Sequence, residues 1–180
     1  GSDLLAGGTD VTSVTLHNVI AEIVSANATQ IVIIANGGGP TSKIGDVRLT
    51  MNTGAFWTLE DAWTYLAQGD IDSIVPASGQ YGTRVTLKGS QLLGGGVTLV
   101  SAHLDETLAE IVSFSNSEIV LIAQHANAST GNIRLVSDTG ATVVQTNGWT
   151  YVSPAVVETV YPSTGQYGTR VTIQGTTLLG

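Results

Sequence analysis

The sequence predicts an all-β protein built from tandem β-sandwiches, and three observations carry that expectation. The stretch "PASGQYGTRVTLKG" at residues 76–89 returns as "PSTGQYGTRVTIQG" at 162–175, so one structural unit is used more than once. Apolar and polar residues alternate along many short runs, the two-residue period of a half-buried strand. Clusters of Gly, Asn, Asp and Ser interrupt these runs roughly every 8–12 residues, the spacing of a sandwich.

The repeat reaches well beyond the quoted stretch. "GSDLLAGG" (1–8) answers "GSQLLGGG" (89–96), and "GTTLLG" (175–180) begins the phrase a third time. In chain order, "LHNVIAEIVSA" (16–26) reads as strands joined by short turns. Its counterpart "HLDETLAEIVSF" (103–114) has some helical periodicity but is read the same way. "QIVIIA" (30–35) and "EIVLIA" (118–123) are continuous apolar runs, predicting central strands covered on both sides. "NGGGPTSKI" (36–44) is a loop that absorbs two extra residues in the first copy. "DVRLTM" (46–51) and "NIRLVS" (132–137) alternate again, and "WTYL" (63–66) and "WTYV" (149–152) close the units. In "TRVTLKG" Val85 and Leu87 share one face; in "TRVTIQG" Val171 and Ile173 do. The expected organisation is a unit at 1–70 lacking its opening strands, a complete unit at 71–153, and the opening strands of a further unit at 155–180.

Composition narrows the function classes. The net charge is −8, with 6 Lys and Arg against 14 Asp and Glu, so the basic footprint that nucleic acid requires is missing. No apolar run approaches the roughly 20 residues of a membrane-crossing helix, so direct membrane insertion is not expected. The absence of cysteine excludes disulfides, thiol catalysis and thiolate metal sites. Charged residues are only 11% of the chain, which leaves solvent faces to Ser, Thr, Asn, Gln and Gly and suits an extracellular or cell-surface protein. No signal peptide opens the sequence, so a secreted origin implies a mature or excised piece.

The pattern Pro76-x-x-Gly79, then Gly82-Thr83-x-Val85-Thr86-Leu87-x-Gly89, closing near Trp149-x-Tyr151, resembles the IPT/TIG domain. That family has an immunoglobulin-like, E-set type sandwich. It is shared by plexins, many bacterial and protist surface proteins, some starch-processing enzymes and Rel-type transcription factors. The resemblance implies tandem immunoglobulin-like β-sandwiches and covers all of 71–153, the later part of a domain in 1–70, and an opening in 155–180. It implies little about function, because the family serves adhesion, signalling, carbohydrate enzymes and DNA binding alike. Physically, Pro76 and Pro162 end strands, Gly79 and Gly82 reverse the chain, and Tyr81 and Tyr167 are expected to cap the core edge.

Chemistry is sparse. His17, His103 and His125 stand in no nucleophile or metal-ligand spacing, so no catalytic site is expected. Asp70 and Asp72, with Asp105 and Glu106, are candidates for Ca²⁺ at the unit junction, but no D-x-D-x-D-G loop is present and solvated charge is the preferred reading, with no cofactor. Asn27 and Asn127 each satisfy the N-glycosylation sequon. "GAFWTLEDAW" (54–63) differs from "GATVVQTNGW" (140–149) by Trp57 for Val143, read as an inward swap, and by Phe56 for Thr142 and Leu59 for Gln145, read as apolar groups on an outer face. Phe56, Trp57 and Leu59 therefore form a candidate contact patch. Two functions follow. One is a structural or adhesive segment whose partners are other copies or neighbouring repeats, either continuous with upstream strands or completed by strands from another molecule. The other is a module binding glycans or surface proteins.

Overall fold

The computed structural model describes residues 7–39 and 41–178, so the expectations placed on 1–6, 40 and 179–180 lie outside the described residues. The chain divides into two compact units between Gln68 and Gly69. Every regular element described is a strand. The predicted all-β class is what the chain adopts.

The first unit contains β1 (Val11–Leu16), β2 (Val19–Ile20), β3 (Glu22–Ala26), β4 (Ile31–Ile34), β5 (Lys43–Met51) and β6 (Phe56–Tyr65). They form a four-stranded sheet, β2-β1-β5-β6, and a two-stranded sheet, β3-β4. The second unit contains β7 (Asp70–Val75), β8 (Ser78–Gly79), β9 (Arg84–Ser90), β10 (Leu99–Leu104), β11 (Thr107–Leu108), β12 (Glu110–Phe114), β13 (Glu118–Ile122), β14 (Ser129–Ser137) and β15 (Thr142–Tyr151). Its sheets are five-stranded, β11-β10-β14-β15-β8, and four-stranded, β12-β13-β9-β7. A last hairpin, β16 (Val156–Tyr161) and β17 (Thr172–Thr176), forms a two-stranded sheet of its own.

Local chemistry explains why both copies fold alike. In the turn between β8 and β9, the Gln80 N–H donates to Thr83 Oγ1 at 3.0 Å, and the Thr83 N–H returns to the Gln80 carbonyl at 3.0 Å. Gln166 and Thr169 repeat this turn at 2.9 and 3.0 Å. Between β5 and β6 a bulge is held by the Asp61 N–H donating to Asp46 Oδ1; between β14 and β15 Asn147 and Asn132 do the same, each bond 3.0 Å. Asp61 and Asn147 take φ of 47° and 50°, a left-handed conformation that Asp and Asn tolerate best among non-glycine residues. Gly89 and Gly175 are required for space: a Cβ would collide with the carbonyl of Asp70 or of Val156 on the paired strand.

The apparent helical pattern of 103–114 yields to a tight turn at Asp105, φ 57°, which ends β10 and folds β11 back on it. The core of the second unit is closed. Val85 and Leu87 project from β9 between the sheets beside Ile119, Leu121, Ile133 and Leu135. Beneath them Trp149 and Tyr151 make an edge-to-face pair at 5.6 Å, which Trp63 and Tyr65 duplicate in the first unit at the same distance. Burying each aliphatic side chain of this size stabilises by about 1.5–3 kcal/mol.

The prediction for the two apolar runs holds for one copy only. Ile119, Val120 and Leu121 are buried in a central strand, whereas Val32 and Ile34 are exposed because β4 pairs with β3 alone. Likewise, Val171 and Ile173 are 49% and 54% exposed where Val85 and Leu87 are at 0%, since no second sheet faces β17 among the described residues.

Leu87→Ala should therefore cost about 2–5 kcal/mol in the unfolding transition of the second unit. Ile173→Ala, the same position one repeat later, should cost less than about 0.5 kcal/mol in dilute protein. Urea titration of each variant, followed by tryptophan fluorescence, measures the difference.

Candidate assembly surface

Among the described residues the sandwich of the first unit is open along β4. Ile31 and Ile33 of β4 and Val47 and Leu49 of β5 are only partly buried, and with Val14, Thr29 and Gln30 they line a groove of about 360 Å³. Their counterparts in the second unit, Ile119, Leu121, Ile133, Leu135 and Ala102, are all sealed in the core. What seals them is the β7–β9 hairpin. β9 pairs with β13 over Glu118↔Lys88 to Ile122↔Arg84, and the exposed Lys88–Glu118 ion pair marks its margin at 3.6 Å.

The expected contact patch divides across the two faces of β6. Trp57 sits opposite Leu49 as Val143 sits opposite Leu135, so it occupies the core-side position that the sequence suggested. It is nevertheless 56% exposed where Val143 is 3%, because nothing described covers that end of the sheet. Leu59, opposite Val47, shares the face of Trp57 rather than that of Phe56, as the two-residue alternation demands. Phe56 stands alone on the other face, with the Arg48 guanidinium 4.0 Å above its ring. Trp57 and Leu59 thus extend the open interior face, and Phe56 is separate from it.

Both sequon asparagines are exposed. Asn27 Oδ1 accepts from the N–H groups of Thr29 and Gln30 at 2.9 and 2.8 Å and so builds the β3–β4 turn. Asn127 precedes β14, its carbonyl accepting from Ser129 Oγ at 3.2 Å. Asp105 accepts from Ser129 Oγ at 2.7 Å, while Asp70 and Asp72 lie on β7. Among the described residues no group of three His, Cys, Asp or Glu side chains converges on a metal-sized site. Tyr81 does not cap the core edge: it is exposed and stacks on the His125 ring at 3.7 Å, because the turn at Gly82 carries it outward. Burial and the neighbouring Arg134 guanidinium lower the pKa of His103, with Glu106 opposing.

With this geometry in view, residues 70–151 match the family model of the IPT/TIG domain. The match coincides with the closed sandwich from β7 to β15. Among solved structures, the extracellular region of plexin A4 aligns with 84% of this chain at 17% identity and a TM-score of 0.50, which shows the shared fold. This chain spans only 13% of that plexin chain. SGBP-B of a Bacteroides ovatus mixed-linkage glucan utilization locus, solved with a mixed-linkage heptasaccharide, aligns over 87% of this chain and 40% of its own at 15% identity and a TM-score of 0.38. No curated protein matches the chain.

Two outcomes test the site's anatomy. In dilute protein, amide hydrogen exchange should be at least about 100-fold faster along β4 than along β13, since the latter is locked between two strands. Phe56→Ala should cost only about 0.5–1 kcal/mol, and that cost should vanish in an Arg48→Ala background when the two are combined in a double-mutant cycle.

Proposed function

We propose that this protein is a structural and adhesive segment of an extracellular tandem-repeat protein, a component of a filament or hair-like cell-surface structure in which immunoglobulin-like units join head to tail. The observation that carries this reading is the recurrence of one set of strand registers. β16–β17 pairs Thr159↔Gln174 and Val160↔Ile173 as β7–β9 pairs Ser73↔Lys88 and Ile74↔Leu87, so the chain starts the same unit again after closing it. On this reading the units run 1–70, 71–153 and 155–180. Stacking such units yields a quasi-linear array whose mechanical properties come from the repeat itself. The low-charge, acidic surface supports a location outside the cell, and Asn27 and Asn127 are candidate glycan attachment points there.

A binding module for glycans is the second reading, favoured by the exposure of Phe56 and Trp57 on one strand. Their placement on opposite faces of β6 leaves a single ring, not a platform, for any one sugar.

Antibodies raised against the second unit should label intact, unpermeabilised cells in linear arrays when viewed by immunogold microscopy. Labelling that requires permeabilisation overturns the extracellular reading. On a glycan array the protein should show no saturable signal; a signal lost in Trp57→Ala or Phe56→Ala transfers the assignment to the binding module.

A further inference from the structure

We propose that the outer face of the sheet β12-β13-β9-β7 packs against the same face of a second copy of this chain, about a two-fold axis parallel to the strands. The contact joins second unit to second unit; it goes beyond the head-to-tail reading above and does not rest on it. All four strands lie inside the second unit, and they alone form the face.

The registers place three rows of side chains there. In the middle row Val75 pairs with Thr86, Thr86 with Val120, and Val120 with Ser113, beside the bulged Val112. Val75 and Val112 are exposed although both are apolar. One flanking row is Glu110, Ile122 and Arg84, and the other is Glu118, Lys88 and Ser73. An apolar stripe thus runs between two rows that each hold one acid and one base, with the base on β9 in both.

Two observations assign this stripe to a second copy. The first is repetition. Glu22, Val24, Val32 and Ile34 stand in the first unit where Glu110, Val112, Val120 and Ile122 stand in the second, with the same registers. The outer face of the opposite sheet changes instead: Thr15, Phe56 and Thr58 replace His103, Thr142 and Val144. Packing inside a unit makes no such distinction between two outward faces, so a contact outside the unit supplies the reason.

The second observation is charge. With the axis lying between β9 and β13, each row meets the same row of the other copy. Val75 meets the partner's Ser113 and Val112, Val120 meets the partner's Thr86, and Glu118 meets the partner's Lys88, each contact occurring twice by symmetry. An axis running across the strands would invert the rows and set Lys88 over the partner's Arg84, a like-charge contact that disfavours it. Charge also selects the unit, because Gln30 stands in the first unit where Glu118 stands in the second. Sheets packed face to face keep their strands within about 30° of each other, which the chosen axis allows.

The face covers roughly 350 Å² per copy, at about 4.8 Å between strands and 3.4 Å per residue. Stable interfaces cover about 800 Å² per partner, so this one forms at high protein concentration and exchanges quickly.

In sedimentation, the weight-average mass of the chain should climb with concentration. Val75→Asp should weaken the association at least about 10-fold by setting a carboxylate against the partner's Val112; Val75 is exposed, so the variant keeps the parent's unfolding transition. Lys88→Glu alone and Glu118→Lys alone each bring like charges together across the axis and should weaken association by a similar factor. Mixed in equal amounts, these two variants are complementary and should associate again. The Lys88–Glu118 pair is exposed within one chain, so both variants stay folded, which circular dichroism checks. Carbodiimide treatment of the mixture should join position 88 of one variant to position 118 of the other. Neither variant alone carries an acid and a base at these two positions, so that amide forms only between chains. A mixture no more associated than its components, or cross-links that bypass positions 88 and 118, overturns the pairing. Surface labelling in linear arrays without association in the mixture removes this inference and leaves the array reading intact. Association in the mixture without surface labelling does the reverse.

Discussion

The pairing of β9 with β13 is the interaction on which the second unit depends. A single hairpin performs two tasks there. Its backbone satisfies the open edge of β13, and its inward side chains, Val85 and Leu87, fill the gap between the sheets. Neither task can be done by a loop, because an unpaired edge buried against apolar side chains would leave backbone donors and acceptors without partners. In the first unit, among the described residues, no strand pairs with the free edge of β4. There the aromatic pair and the four-stranded sheet persist, but the groove stays open and Trp57 is wet.

Where the repeats diverge, the divergence follows the physics of each position. Asp46 and Asp61 stand where Asn132 and Asn147 do, and both versions offer a side-chain oxygen and tolerate the left-handed backbone. His17 stands where Asp105 does, and both accept positive φ at the end of a strand. Phe56 replaces Thr142 on a solvent face, where Arg48 shields part of its ring. Changes of this type leave the scaffold intact and alter what it presents. The fold is held by registers and cores, and what varies is what the surface presents.

The strands along the chain, the turns between them and the core face of β9 could be read from the residues. Alternation of Val85 and Leu87 with charged neighbours reports one buried face directly, and Trp149 and Tyr151 announce the strand that closes the unit. The faces of the contact patch are less legible. Trp57 reads as inward and Phe56 as outward, and both stand so; Leu59, read as outward with Phe56, shares the face of Trp57 because residues two apart on a strand point the same way. The outward placement of Tyr81 depended on a glycine turn whose direction no periodicity encodes.

Sequence by itself determined that this protein is all strand, repeated, acidic and free of thiols, because side-chain alternation, turn residues and composition are local properties. Whether an apolar run is buried is not local. "QIVIIA" and "EIVLIA" carry the same pattern, yet Leu121 is sealed and its counterpart Ile33 lines an open groove. Tertiary structure made that distinction, because burial depends on which strand lies alongside, and for β13 that strand is β9, some thirty residues upstream.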